Sequence, residues 1–110
     1  MDQFRLTVTG SSEEMDGLEA FGRNYGVATE RGVVSDYEGV AVTLFAVYLT
    51  AASEVVAQCI AAYLSARQAP LRITYFVPGQ GNRVARDFSL NGVAETLRAT
   101  DKLHIQEAWT

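Results

Sequence analysis

The chain has 110 residues and a formal charge of −4, from 9 Lys+Arg against 13 Asp+Glu, and 48% of it is apolar. That length and balance describe one globular domain over residues 1–110, with room for a single modest core. One Cys and one His exclude a disulfide framework and a multi-cysteine metal centre, and they leave too few imidazole and thiolate ligands for a catalytic metal, so no cofactor or metal is expected.

Near the N-terminus Phe4, Leu6 and Val8 alternate with Gln3, Arg5, Thr7 and Thr9, the pattern of a strand with one wet face. Gly10 ends it. Ser11 with Glu14 three residues on forms a capping-box pattern, opening a helix whose inward positions are Met15, Leu18, Phe21 and Tyr25 and whose stop is Asn24 with Gly26. Residues 27–35 are β-type with a break at Gly32, and Asp36-Tyr37-Glu38-Gly39 reads as a reversal. Residues 40–49 admit two readings, a strand buried on both faces or the start of one long helix. The strand is preferred, because Thr50 or Ser53 then caps a separate helix over 51–67 instead of extending one of roughly 28 residues and ~42 Å. That helix carries the most regular apolar stripe of the chain, Ala52, Val55, Val56, Cys59, Ile60, Tyr63 and Leu64, so Val56, Ile60 and Tyr63 are expected in the core.

Ala69-Pro70 breaks the helix, residues 71–77 form a strand, 78–82 turn, and 83–89 return as its hairpin partner. Asn91-Gly92 opens a short helix with Val93, Ala94, Leu97 and Leu103 inward, and residues 101–110 form a final edge strand or a packed tail. The fold class expected is α+β: an antiparallel sheet with two helices on one face, a split βαβ (ferredoxin-like) βαββαβ core plus a C-terminal hairpin strand and short helix. Such a sheet leaves one face bare. Tyr37, Tyr48, Tyr75, Phe76 and Trp109 would make that face apolar, so a homodimer is expected.

The candidate chemistry is thin. Cys59 sits on the buried stripe as a small hydrophobe, and His104 belongs to no triad-like motif. Glu13, Glu14, Asp16 and Glu19 occupy the first turns of a helix, where its dipole already accounts for carboxylates. Gly79-Gln80-Gly81-Asn82-Arg83 has the glycines of a phosphate loop without its Lys-Ser/Thr or a following helix, and reads as a hairpin turn. Residues 1–54 carry nine acids against three bases, and 55–110 carry four against six. The acidic half repels phosphates, so nucleic acid is not an expected partner; a basic protein surface or a head-to-tail copy is. Two patches qualify for partner binding, the acids Glu13, Asp16 and Glu19 and the arginine hairpin Arg72, Arg83 and Arg86. Residues 39–66 hold a single charge, Glu54, yet Thr50, Ser53, Gln58 and Ser65 mark the segment as buried protein rather than a membrane span. Met-Asp-Gln-Phe-Arg lacks a basic flank before an apolar run, which sets the expected location as cytoplasmic.

The strand–helix start, the apolar stretch ending in Tyr63-Leu64-Ser65-Ala66-Arg67, and Leu71-Arg72-Ile73-Thr74 followed by Pro78-Gly79-Gln80-Gly81-Asn82-Arg83-Val84 and a short helix resemble the small effector-associated constant component of bacterial conflict systems. The resemblance lies in layout, and Thr50-Ala51-Ala52-Ser53 stands where that family has a glycine-rich break. It implies a non-catalytic accessory domain and nominates no residues. The expected function is therefore a non-enzymatic interaction protein, such as an immunity protein, an inhibitor or a defence-system accessory. The alternative is a small-molecule module or small enzyme of the dimeric ferredoxin-like type, for which Tyr48, Tyr75 and His104 should line one cavity.

Overall fold

A computed structural model of the chain describes residues 3–34, 44–67 and 70–108. They form β1 (Phe4–Gly10), α1 (Ser12–Asn24), β2 (Ala28–Val34), β3 (Leu44–Ala51), α2 (Ser53–Ala66), β4 (Leu71–Val77), β5 (Gly81–Ala85), α3 (Leu90–Ala99) and β6 (Lys102–Glu107). Residues 44–49 are strand, which decides between the two readings of that segment. Ser35, the reversal at 36–39, residues 40–43 and Trp109 lie outside the described residues.

The caps follow local chemistry, with two departures from expectation. Ser11 Oγ accepts from the Glu14 N–H at 3.2 Å, and Gly26, at φ +72°, turns the chain out of α1 while the Val27 N–H reaches the Gly22 carbonyl at 2.8 Å. The reciprocal half of the capping box is not made, because the Glu14 carboxylate is drawn inward to Tyr63 and Arg67. At α2 neither Thr50 nor Ser53 is the cap. Thr50 is held in β3, Ser53 is already helical, and Ala52 occupies the cap position, its carbonyl accepting from Val55 and Val56 at 2.9 and 3.1 Å. Helix α3 begins one residue before Asn91, capped by Ser89 Oγ on the Gly92 N–H at 3.2 Å.

The sheet order is β2-β3-β1-β6-β4-β5. Neighbouring strands run antiparallel except β1 and β6, which are parallel, so the sheet is mixed rather than antiparallel. The expected edge strand or tail at 101–110 is corrected on the same ground: β6 is a central strand. Leu103 and Ile105 face inward, and only a central position gives both an apolar neighbour, Val8 beside Leu103 and Ile73 beside Ile105. Parallel pairing needs a crossover, which α3 supplies by carrying the chain back from the far edge. Three helices rather than two therefore cover the inward face. Their buried residues (Met15 and Leu18 from α1, Val56, Ile60, Tyr63 and Leu64 from α2, Val93 and Leu97 from α3) close on Leu6, Val8, Val47, Leu49, Ile73, Leu103 and Ile105. Val56, Ile60 and Tyr63 are buried as the stripe of α2 predicted.

Candidate functional site

With the helices on one side, alternation along each strand determines what the other side carries. Strand register aligns its side chains in rows: Glu30, Tyr48, Thr7 and Lys102; then Gly32, Ala46, Thr9, His104, Thr74 and Val84; then Thr50 with Arg5, Gln106 with Arg72, and Phe76 with Asn82. This surface carries Thr7, Thr9, Thr50 and Thr74, and more bases than acids. Of the aromatics expected there, Tyr75 turns to the core side, Tyr37 and Trp109 lie outside the described residues, and Tyr48 is half-buried with the Arg5 guanidinium 4.6 Å from its ring centroid. A Cβ at residue 32 would lie 2.9 Å from that ring, so Gly32 is what lets Tyr48 lie flat there. On this face Phe76 is 56% and Val84 45% exposed.

A groove of ≈ 370 Å³ runs over this face, lined by Thr7, Thr9, Thr74, Tyr75, Phe76, Asn82, Lys102, Leu103 and His104. Thr9 Oγ1 lies 2.9 Å from His104 Nδ1, fixing the only imidazole of the chain between β1 and β4. No carboxylate is among the lining residues. An adjoining cleft of ≈ 450 Å³ shares Phe76 and Lys102 with the groove and adds Arg98 and Asp101. Tyr75 and His104 line the same groove, whereas Tyr48 lies on β3, two strands from His104, and is not part of its lining.

The acids singled out on α1 are largely spoken for. Arg31 Nη1 lies 2.6 Å from Asp16 and 4.0 Å from Glu19, and Arg23 lies 2.9 Å from Glu19. Glu14 is 5% exposed; its carboxylate accepts from the Tyr63 hydroxyl and from Arg67, which also reaches Glu107 at 3.5 Å. The Tyr63 ring is held by Phe21, edge to face at 5.4 Å, and by Gly17, where a Cβ would meet it at 3.2 Å. Glu13 alone of the four stays exposed with no ion pair among the described residues. These groups border a cavity of ≈ 270 Å³. The cluster joins α1 to α2 and to the end of β6, and the pairing of Glu14 with the Tyr63–Arg67 step of α2 is what the sequence reading missed. The i, i+4 spacing of Tyr63 and Arg67 was its only local signal.

The arginine hairpin does not converge. Arg72 lies on the uncovered face beside Gln106, whereas Arg83 pairs with Tyr75 on the opposite face and donates to Gln80 Oε1 at 2.6 Å; Arg86 follows the end of β5. Gly79 and Gly81 adopt φ +82° and +84° in a tight turn, consistent with a hairpin rather than a phosphate cradle.

Cys59 is fully buried, and burial pushes its thiol from the ordinary 9.0 to about 11. The Tyr63 hydroxyl is raised as well, first by burial, then by its hydrogen bond to Glu14 and that carboxylate's charge, with Arg67 opposing. Both groups are held neutral in the folded state. The stability this confers is full below their unfolded pKa values and is lost as pH rises through the folded ones. We expect the urea midpoint to fall between pH 9 and 11, with at most about 1.4 kcal/mol lost per pH unit per group. In Cys59→Ala the onset should move to higher pH; an unchanged onset assigns the loss elsewhere.

Among the described residues no three His, Cys, Asp or Glu side chains stand close enough to hold a metal ion, and no helix is long and apolar enough to cross a membrane. Comparison with protein-family models, with curated proteins and with solved structures finds no match for the chain.

Proposed function

We propose that this chain is a non-enzymatic interaction module, of the kind that serves as an immunity protein, inhibitor or defence-system accessory, and that it works through the uncovered sheet face against an acidic protein surface. The observation that carries this reading is the charge on that face. Arg5, Arg72 and Lys102 stand there against Glu30 alone, and Glu30 is itself 3.5 Å from Arg5. Arg72 and Lys102 have no ion-pair partner among the described residues, while of the α1 acids Asp16 and Glu19 are paired, Glu14 is buried and Glu13 alone stays exposed without a pair. A flat, donor-rich surface of that kind favours an acidic counterpart by steering and by charge-assisted hydrogen bonds. Removing β6 from the sheet order leaves β2-β3-β1-β4-β5, and on the first four of these we read the chain as a ferredoxin-like core split by a late-arriving strand and extended by β5.

Titration with poly-L-glutamate at low salt tests the reading. We expect saturable binding that weakens as salt is added, that is lost when Arg72 and Lys102 are both changed to Glu, and that is unaffected by Glu13→Lys. Binding of poly-L-lysine in its place would return the site to α1. Tighter binding of a single-stranded oligonucleotide of matched charge would make the partner a nucleic acid.

A second reading has its own observation. The groove falls within the ~300–1,000 Å³ range of ligand pockets, which suits a small-molecule module on the same face.

A further inference from the structure

Within the uncovered face the donors are not spread evenly. Lys102 and His104 are successive same-face positions of β6, so their Cα atoms stand roughly 6.6 Å apart, and the flanking strands lie about 4.8 Å to either side. Thr7 sits beside Lys102 on one flank, and Thr74 sits beside His104 on the other. Lys102 and His104 thus stand side by side in the groove with a threonine hydroxyl on either flank, Thr7 and Thr74 being about 12 Å apart across β6, and no carboxylate lines the groove. Thr9 Oγ1 lies 2.9 Å from Nδ1 and 3.4 Å from the Leu103 carbonyl, so Nε2 is the ring nitrogen left for a ligand, and it carries the ring proton when the single Thr9 hydroxyl proton goes to the nearer Nδ1 rather than to the carbonyl.

We infer that this patch is a subsite for one compact oxyanion, a carboxylate or a phosphoryl group, held by Lys102 Nζ and His104 Nε2 with the hydroxyl of Thr74, the threonine beside the imidazole on β4. Size and charge both argue for a single group. A nucleic-acid strand needs a succession of phosphate contacts, and among the described residues the uncovered face adds Arg5 and Arg72 beyond the patch, with Arg98 in the adjoining cleft. The inference rests on the interaction reading of this face, to which it adds the anchoring group: an acidic side chain of the partner, seated in the groove.

Because His104 is the only histidine, its ring signals report the site without assignment ambiguity. The full-length chain is titrated at constant pH with inorganic phosphate, with acetate, and with chloride at matched ionic strength, while the His104 ring resonances are followed by NMR. We expect a saturable shift with phosphate or acetate that chloride does not reproduce, and whichever anion binds more tightly identifies the oxyanion. Lys102→Gln, an exposed substitution, should weaken binding by about fivefold or more through loss of a charge-assisted hydrogen bond. Arg83→Gln, on the opposite face, should leave it unchanged. A shift that is absent, that chloride reproduces, or that survives Lys102→Gln at full affinity overturns the subsite. The two levels separate cleanly. Poly-L-glutamate that binds with no oxyanion effect on His104 overturns the subsite and leaves the interaction face standing. An oxyanion effect without poly-L-glutamate binding supports the subsite and moves the function to a small anion.

Discussion

Truncating Ile60 to alanine is expected to lower the unfolding free energy by about 2–5 kcal/mol, measured by urea denaturation at neutral pH. Ile60 is 1% exposed on α2, and it faces Ile73, Val93 and Leu103, so one side chain joins the helix layer to β4, to α3 and to β6. A cavity of ≈ 10 Å³ already lies at this junction. Its surroundings come from four separate elements and cannot collapse together around a smaller residue, which places the loss toward the upper part of the range. Ile60→Val, which removes one methyl group, should cost about 0.5–1.5 kcal/mol. An unchanged midpoint in Ile60→Ala would mean that α2 does not pack against the sheet through this residue.

The second large effect belongs to Glu14. Glu14→Ala deletes the acceptor of both the Tyr63 hydroxyl and the Arg67 guanidinium, and breaking a buried pair costs about 3–5 kcal/mol where the orphaned charge is fully desolvated. Arg67 keeps 30% of its side chain exposed and Glu107 at 3.5 Å, and the Tyr63 hydroxyl retains the Glu14 carbonyl at 3.1 Å, so a loss of about 2–3 kcal/mol is expected. The cluster raises the Arg67 pKa despite burial acting to lower it, because the Glu14 hydrogen bond and charge, with smaller contributions from Tyr63 and Glu107, outweigh desolvation. Arg67 Nε is buried with no hydrogen-bond partner among the described residues, so the arrangement already carries an unmet donor. For that reason Glu14→Leu combined with Arg67→Met should recover most of the stability lost in Glu14→Ala. A double variant as unstable as Glu14→Ala would show that the ion pair itself, rather than the orphaned charge, sets the cost.

The relation of sequence to structure differs from element to element. Strand β1 was legible because Leu6 and Val8 alternate with Thr7 and Thr9, and burial on one face is all that alternation requires. The stripe of α2 was legible for the same reason at helical period. Glu14 was misread, since the capping-box pattern places a carboxylate at the third position of a helix without saying whether it returns to the cap or turns toward the next helix. Tyr63, 49 residues away, decided that. The uncovered face was misjudged because its aromatics were counted along the chain, whereas strand parity sends Tyr75 inward and Phe76 outward.

Strand β1, the apolar stripe of α2 and the hairpin turn at Gly79–Gly81 were therefore determined by the amino-acid sequence alone, because each depends on periodicity or turn chemistry within a few residues. The place of β6 between β1 and β4, the mixed sheet that follows and the gathering of Lys102, His104, Thr7 and Thr74 into one groove were decided only by the tertiary structure. Strand neighbours are chosen by packing between segments up to a hundred residues apart, and closing a longer loop adds only about 0.6 kcal/mol per doubling of its length, so the order of strands leaves almost no trace in any local stretch of the chain.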